Sequence, residues 1–265
     1  MQNNMKNTRQ TALITGPTSG IGEQFAIKLA ESGHDLILVS RDEEKLRKMC
    51  LDLSQAYGIK AHKIVADLSK SASPEEVFEK VNQLDIQVDI LINNAGFQIY
   101  DPFHSADWKA TQKLIDVNVN ALVNLTHLFL PGMIQRKEGY ILNMGSLGSF
   151  APGPNNAVYT AGKAFVLNFS EAIAEELRGT GVHVTCLCPG PVDTPFAERA
   201  DITNTFLFKY FAMPPGPVAE AGIKAMLKKQ RVSVPGIINK LIVFFLRFVP
   251  RRLVTRIAKY ALLPD

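Results

Sequence analysis

The chain has 265 residues, 46% of them apolar, enough to bury a full core in one large domain. Three cysteines are too few for a disulfide scaffold, and five histidines without H-x-x-x-H or Cys/His spacing give no metal site. The net charge of +4 hides an asymmetry: residues 221–264 hold ten Lys/Arg and no Asp/Glu, which leaves the rest of the chain at −6. The basic character therefore belongs to the tail, and no nucleic-acid partner is expected. The polar opening MQNNMKNTRQ lacks the apolar region of a signal peptide, so a cytoplasmic location is expected.

The first predicted strand, TALIT (11–15), runs into TGPTSGIG (15–22). Gly16 permits a tight turn, Gly20 lets backbone approach a pyrophosphate, and Gly22 allows close helix–strand packing. Thr18, Ser19 and Ile21 complete the turn, and the N–H groups at the start of the next helix (20–32) face the anion. The second strand, DLILVS (35–40), ends at Ser40 and Arg41, before a helix over 43–57. An NAD site places Asp or Glu at this tip for the ribose 2′-hydroxyl. An arginine fork with no carboxylate suits a 2′-phosphate instead, so NADP(H) is the expected cofactor. The plain structural alternative is a solvated Arg beside Asp42, Glu43 and Glu44.

The third strand, AHKIVA (61–66), leads to Asp67 and Leu68. Asp67 either accepts from an adenine amine or caps the following turn. After a helix over 74–84, the strand DILIN (89–93) ends in INNAG. There Asn94, Ala95 and Gly96 let backbone pass close to a ligand, or simply make an Asn-rich turn. A long helix, 107–136, carries DVNVNALVN, with Asn118 on what could be an ordinary polar face. The strand GYILNM (139–144) places Ser146 just beyond its tip. A hydrolase nucleophile needs Gly two residues earlier, and Met144 stands there, which disfavours serine hydrolysis. In AVYTAGKAF, within a helix over 156–179, Tyr159 and Lys163 lie one turn apart, roughly 6 Å along the axis.

The sixth strand lies in VHVTCLCPG, where alternation points Cys186 and Cys188 to one face as buried thiols. In CPGPVDTPF, Pro189 and Gly190 make a turn ahead of Val192 and Thr194. The segment 195–217 breaks the strand–helix rhythm and crowds Phe196, Phe206, Phe208, Tyr210, Phe211 and Met213 together. It reads as a lid whose aromatics either line an apolar substrate pocket or anchor the lid to the core. RVSV (231–234) is the seventh strand. Near-continuous apolar strands alternating with helices predict the α/β class: a doubly wound Rossmann fold with a seven-stranded parallel sheet flanked by helices. Residues 1–235 form this domain and 236–265 a basic amphipathic tail. In LVTRIAKYAL (253–262), Leu253, Val254, Ile257, Ala258 and Ala261 share one helical face, with Arg252, Arg256 and Lys259 elsewhere. LIVFFL (241–246) is far short of the ~20 residues of a membrane span. The tail therefore packs on the body or a neighbouring subunit, or lies in an anionic membrane interface.

TGPTSGIG, NNAG, DVNVNA, Ser146, YTAGK and PGPVDT, in this order over roughly residues 10–195, resemble the short-chain dehydrogenase/reductase family. The whole pattern is similar to its 3-oxoacyl reductase and hydroxysteroid dehydrogenase branch. The resemblance implies a tetrad of Asn118, Ser146, Tyr159 and Lys163. Tyr159 would act as acid or base, Ser146 would hold the carbonyl oxygen, and Lys163 would bind the nicotinamide ribose. Asn118 would hold a water linking Lys163 to solvent, and Pro189, Gly190, Val192 and Thr194 would meet the nicotinamide. The Lys163 ammonium is expected to draw the Tyr159 phenol down toward neutral pH. A homodimer or homotetramer is implied, joined through helices 107–136 and 156–179, with Leu122, Leu125, Leu128 and Phe129 left over for the interface. The function so implied is NADP-dependent reduction of an apolar ketone, or oxidation of the matching secondary alcohol. A 3-oxoacyl or steroid-like compound would be the substrate. The alternative is a non-catalytic NADP-binding regulator or membrane-associated scaffold on the same fold.

Overall fold

The computed structural model describes residues 9–261. The first eight residues and the end of the tail, 262–265, lie outside the described residues. The strands are β1 (Thr11–Thr15), β2 (Asp35–Ser40), β3 (Ala61–Val65), β4 (Ile90–Asn93), β5 (Gly139–Met144), β6 (Val182–Leu187) and β7 (Val232–Ser233). All pair in parallel, in the order β3-β2-β1-β4-β5-β6-β7. The order reverses between β1 and β4, and the carboxyl ends of those strands flank the crevice where such sheets bind ligands.

The helices are α1 (Gly20–Glu31), α2 (Glu43–Tyr57), α3 (Ser73–Gln83), α4 (Trp108–Ile115), α5 (Ala121–Arg136), α6 (Ala157–Glu176), α7 (Pro195–Arg199), α8 (Phe206–Phe211), α9 (Pro215–Leu227), α10 (Ile237–Leu246) and α11 (Arg251–Ala261). They cover both sheet faces, so the central strands β1, β2 and β4 are apolar on both sides. Ile14, Leu38 and Ile92 pack with Phe25 and Leu29 of α1 and Val218 and Met226 of α9. Their neighbours Leu13, Ile37 and Leu91 face the other way, onto Val77 and Val81 of α3 and Leu125 and Phe129 of α5.

Two expectations change here. The helix expected over 107–136 is interrupted: Asp116–Asn120 form a π-turn between α4 and α5, with Asn118 buried inside it. Such widened turns often mark functional positions. Leu122, Leu125 and Phe129 are also not left over for a subunit interface. All three are buried within the chain, because α5 turns a broad apolar stripe toward the sheet. Ile134 and Phe165 are the large apolar side chains that α5 and α6 expose.

A buried polar ladder fixes the strand ends under the site. Asn93 Nδ2 donates to Thr126 Oγ1 at 3.1 Å and to Asn143 Oδ1 at 2.9 Å. Asn143 Nδ2 in turn donates to Ser170 Oγ at 3.0 Å. These bonds tie β4, β5, α5 and α6 together beneath the site.

Candidate active site

The glycine turn and the NNAG segment meet at the reversal point. Gly16 and Gly20 adopt φ of +65° and +61°, which favours glycine. A Cβ at Gly22 would lie 2.2 Å from Gly16 O, so only glycine lets α1 start this close to β1. Asn94 fastens the turn, its Nδ2 donating to Thr15 O at 3.0 Å and Gly16 O at 2.9 Å. Thr15 Oγ1 accepts from the backbone N–H groups of Asn94 and Ala95 at 3.0 and 2.9 Å. INNAG is therefore a strut between two strand ends rather than a plain turn.

At the β2 tip, Arg41 is exposed and lines the cavity. The neighbouring acids are taken by other cations: Asp42 by Lys45 at 3.3 Å, Glu44 by Arg47 at 2.7 Å, and Glu43 by Lys63 at 2.5 Å. Ser40 Oγ lies 3.4 Å from Thr18 Oγ1, joining the tip to the glycine turn. Asp67 Oδ1 accepts from Ser69 N and Ser69 Oγ at 3.2 and 2.9 Å, so the turn-capping role is realised. Asp67 and Leu68 also line the cavity.

Beyond β5, Ser146 is held by a reciprocal cap: its Oγ accepts from Gly148 N at 3.0 Å, and its own N–H donates to Ser149 Oγ at 3.1 Å. Ser149 Oγ also donates to Lys163 O at 2.8 Å, which ties the serine turn to α6. Ser149 was not among the sequence candidates, because a second serine in GSLGS carries no distinguishing signal. Tyr159 is buried beside Ser146, and the Lys163 ammonium lies 5.6 Å from the Tyr159 ring centre. Lys163 Nζ donates to Met144 O at 2.7 Å.

The electrostatics differ from the expectation. Burial pushes the Tyr159 phenol up to about 12, against a smaller lowering by the neighbouring Ser146 hydroxyl. Burial also brings the Lys163 ammonium down to about 8. Desolvation governs both shifts, so at neutral pH the phenol holds its proton and the ammonium keeps most of its charge. Asn118 Nδ2 donates to Phe97 O at 2.8 Å and its Oδ1 accepts from Phe97 N at 3.1 Å. The side chain thus clasps the turn after INNAG.

All these groups open into one cavity of about 770 Å³. It is lined by every residue of the expected cofactor set and by Ser146, Tyr159 and Lys163; Asn118 stands behind the wall, with its Oδ1 3.1 Å from where a Gly96 Cβ would be. Pro189 O accepts from Leu147 N at 2.7 Å, joining the β5 and β6 loops. Thr194 presses on the glycine turn, its Cγ2 2.9 Å from where a Gly20 Cβ would be. The lid is pinned by backbone bonds from Asp193 N to Met213 O and from Met213 N to Pro191 O, both 2.9 Å. Phe196, Leu207 and Phe208 face the cavity, whereas Phe206 and Tyr210 are exposed. The lid thus lines the pocket with some of its aromatics and not with others. Ile242 and Leu246 of α10 and Val254, Ile257 and Ala258 of α11 line the same cavity, which sequence reasoning missed. The period of α11 marked its apolar face, but not what that face covers.

A cradle that excludes even a methyl at Gly22, an exposed arginine at the β2 tip lining the cavity, and a buried Tyr–Ser–Lys cluster in that cavity fit a nicotinamide dinucleotide. They define a dinucleotide-dependent oxidoreductase site. The short chain dehydrogenase family profile matches residues 10–204, and the chain belongs to that family of oxidoreductases. It is 36% identical over 222 residues to a very-long-chain 3-oxoacyl-CoA reductase of Phaeosphaeria nodorum; the match covers 82% of this chain but only 62% of that relative's length. It is 30% identical over 225 residues to an oxidoreductase of Staphylococcus saprophyticus, covering 85% of this chain and 94% of the other. A solved short-chain dehydrogenase from Sphingobium yanoikuyae, in complex with NADPH, superimposes with a TM-score of 0.81 at 30% identity, covering 91% of this chain and 96% of that one.

Proposed function

We propose that this chain is an NADP(H)-dependent reductase of an apolar ketone, such as a 3-oxoacyl or steroid-like compound, and works in reverse on the alcohol. The carrying observation is the Tyr159 side chain, buried beside Ser146 and Lys163 in the same cavity as the glycine turn. When bound, NADPH supplies the hydride. The protein's task is then to place a proton on the carbonyl oxygen as negative charge develops there. Tyr159 donates that proton, and Ser146 holds the oxygen against it. Lys163, fixed by Met144 O, sets a positive charge beside the phenolate that remains. Asn118 acts through the Phe97 turn, which it holds beside Lys163.

Several observations support the cofactor and substrate classes. Arg41 lines the cavity while Asp42, Glu43 and Glu44 pair with other cations, and a solved relative holds NADPH. The pocket walls are largely apolar at the lid and tail, and a relative is named for 3-oxoacyl-CoA. A homodimer or homotetramer is proposed through α5 and α6, where Ile134 and Phe165 remain exposed. The test is a panel of acyl, steroid and small ketones with NADPH, followed by loss of NADPH absorbance. Turnover of apolar ketones over small polar ones is expected. Stoichiometric NADPH binding with no turnover of any carbonyl would favour the non-catalytic reading.

A further inference from the structure

The mechanism leaves unused the face of the tail that points away from the cavity. Nine of the large apolar side chains exposed on the described surface lie between residues 237 and 260. On α10 and just after it, Ile237, Leu241, Phe244, Phe245 and Phe248 are each half exposed or more, and Phe248 reaches 71%. Phe244 stacks edge-on with both Phe245 and Phe248, at ring-centre distances of 5.5 and 5.3 Å, which makes one aromatic ridge. The opposite side of α10 is also apolar, since Ile242 and Leu246 line the catalytic cavity. A helix apolar on both sides is normally buried on both.

We infer that α10 and α11 dock on an anionic membrane surface and form the portal through which an apolar ketone passes from lipid to Tyr159. Charge selects the occupant. Residues 221–264 carry ten Lys/Arg and no acid, and Arg247, Arg251, Arg252, Arg256 and Lys259 are exposed around the apolar ridge. A two-fold contact with a second copy would set this basic surface against itself. An anionic bilayer accepts both the aromatic ridge and the cations. With ten residues, α10 is about 15 Å long, too short to span, so it lies in the plane of the interface. The helical stretch 108–136 is long and apolar enough for a span, but it buries Leu125, Phe129 and Met133 inside the fold. Ile257 joins the two environments, because it lines the cavity and is 55% exposed.

The portal half of this inference rests on the proposed ketone reductase; the docking half does not. Flotation of the full chain tests docking without turnover. The probes are vesicles of phosphatidylglycerol mixed equally with phosphatidylcholine, and vesicles of phosphatidylcholine alone, at low and high salt. Binding to the anionic vesicles at low salt is expected, weakened by salt. The variant Phe245→Ser/Phe248→Ser should lose at least about tenfold in binding, as should Arg251→Glu/Arg252→Glu if the first variant folds poorly. Both should keep wild-type kcat on a short soluble ketone while KM rises for a long-chain ketone carried in anionic vesicles. No flotation of the wild type, or equal flotation of both folded variants, overturns docking. So does a serine variant that dissociates a wild-type oligomer without any vesicle binding, because the ridge then belongs to a second copy. Vesicle binding with no turnover of any ketone retains docking and removes the reductase reading. Turnover with an unchanged KM for the vesicle-borne ketone retains both and removes the portal.

Discussion

Lys163, on α6, reaches the last carbonyl of β5: its buried Nζ donates to Met144 O at 2.7 Å. That contact fixes the ammonium one helical turn from Tyr159. It does not compensate fully for lost hydration, and the lysine sits well below its ordinary range.

The cost of burying Lys163 should be visible in stability. Its pKa is about 8 in the folded chain, against the ordinary lysine value of 10.5 that applies once the chain unfolds. Between those values the unfolded chain holds the proton and the folded chain does not, so wild-type stability gains as pH rises through that window. Denaturant unfolding of wild type and Lys163→Met, at about pH 7.5 and about pH 10, should show the difference shifting toward wild type by roughly 2 kcal/mol. Parallel pH profiles would show that the lysine is not desolvated as described.

Cofactor choice should follow Arg41. The wild type should prefer NADPH over NADH by at least about tenfold in kcat/KM, and Arg41→Ala should shrink that preference through a higher KM for NADPH. Equal kcat/KM for the two cofactors in the wild type would remove the 2′-phosphate assignment.

Gly22 should tolerate no methyl. Gly22→Ala would press on Gly16 O at 2.2 Å and Asn94 Nδ2 at 2.4 Å, and it should cost about 1–3 kcal/mol along with measurable NADPH binding. Gly162→Ala is the control, since its methyl meets only Val119 Cγ2 at 3.4 Å. Differential scanning calorimetry with and without NADPH separates the two. Equal melting and equal cofactor stabilisation would mean that the turn is looser than described.

The sheet was legible because strands covered on both faces are written as apolar runs, as LILV and ILI are in β2 and β4. The glycine turn and the Tyr159–Lys163 pair were legible because they are local, set by spacing within one turn or one helix. What was not legible depends on distant packing. The π-turn at Asp116–Asn120 interrupts a pattern that reads as one helix. The burial of Leu122, Leu125 and Phe129 depends on where α5 meets the sheet. The proximity of Lys163 to Tyr159 could be read from spacing. The depth of the pocket, which reverses the direction of the phenol's shift, could not. The tail's apolar face was visible in its period, but its place in the cavity wall was not.

Tyr159 as the proton donor is tested most directly by comparing wild type with Tyr159→Phe on a ketone the wild type reduces well, measuring kcat and NADPH dissociation constant on the same samples. The phenol supplies a proton and little cofactor affinity, so kcat should fall by about 10²–10⁴-fold while NADPH binding stays within a few-fold. A Phe variant that keeps near wild-type kcat with NADPH bound would contradict that role.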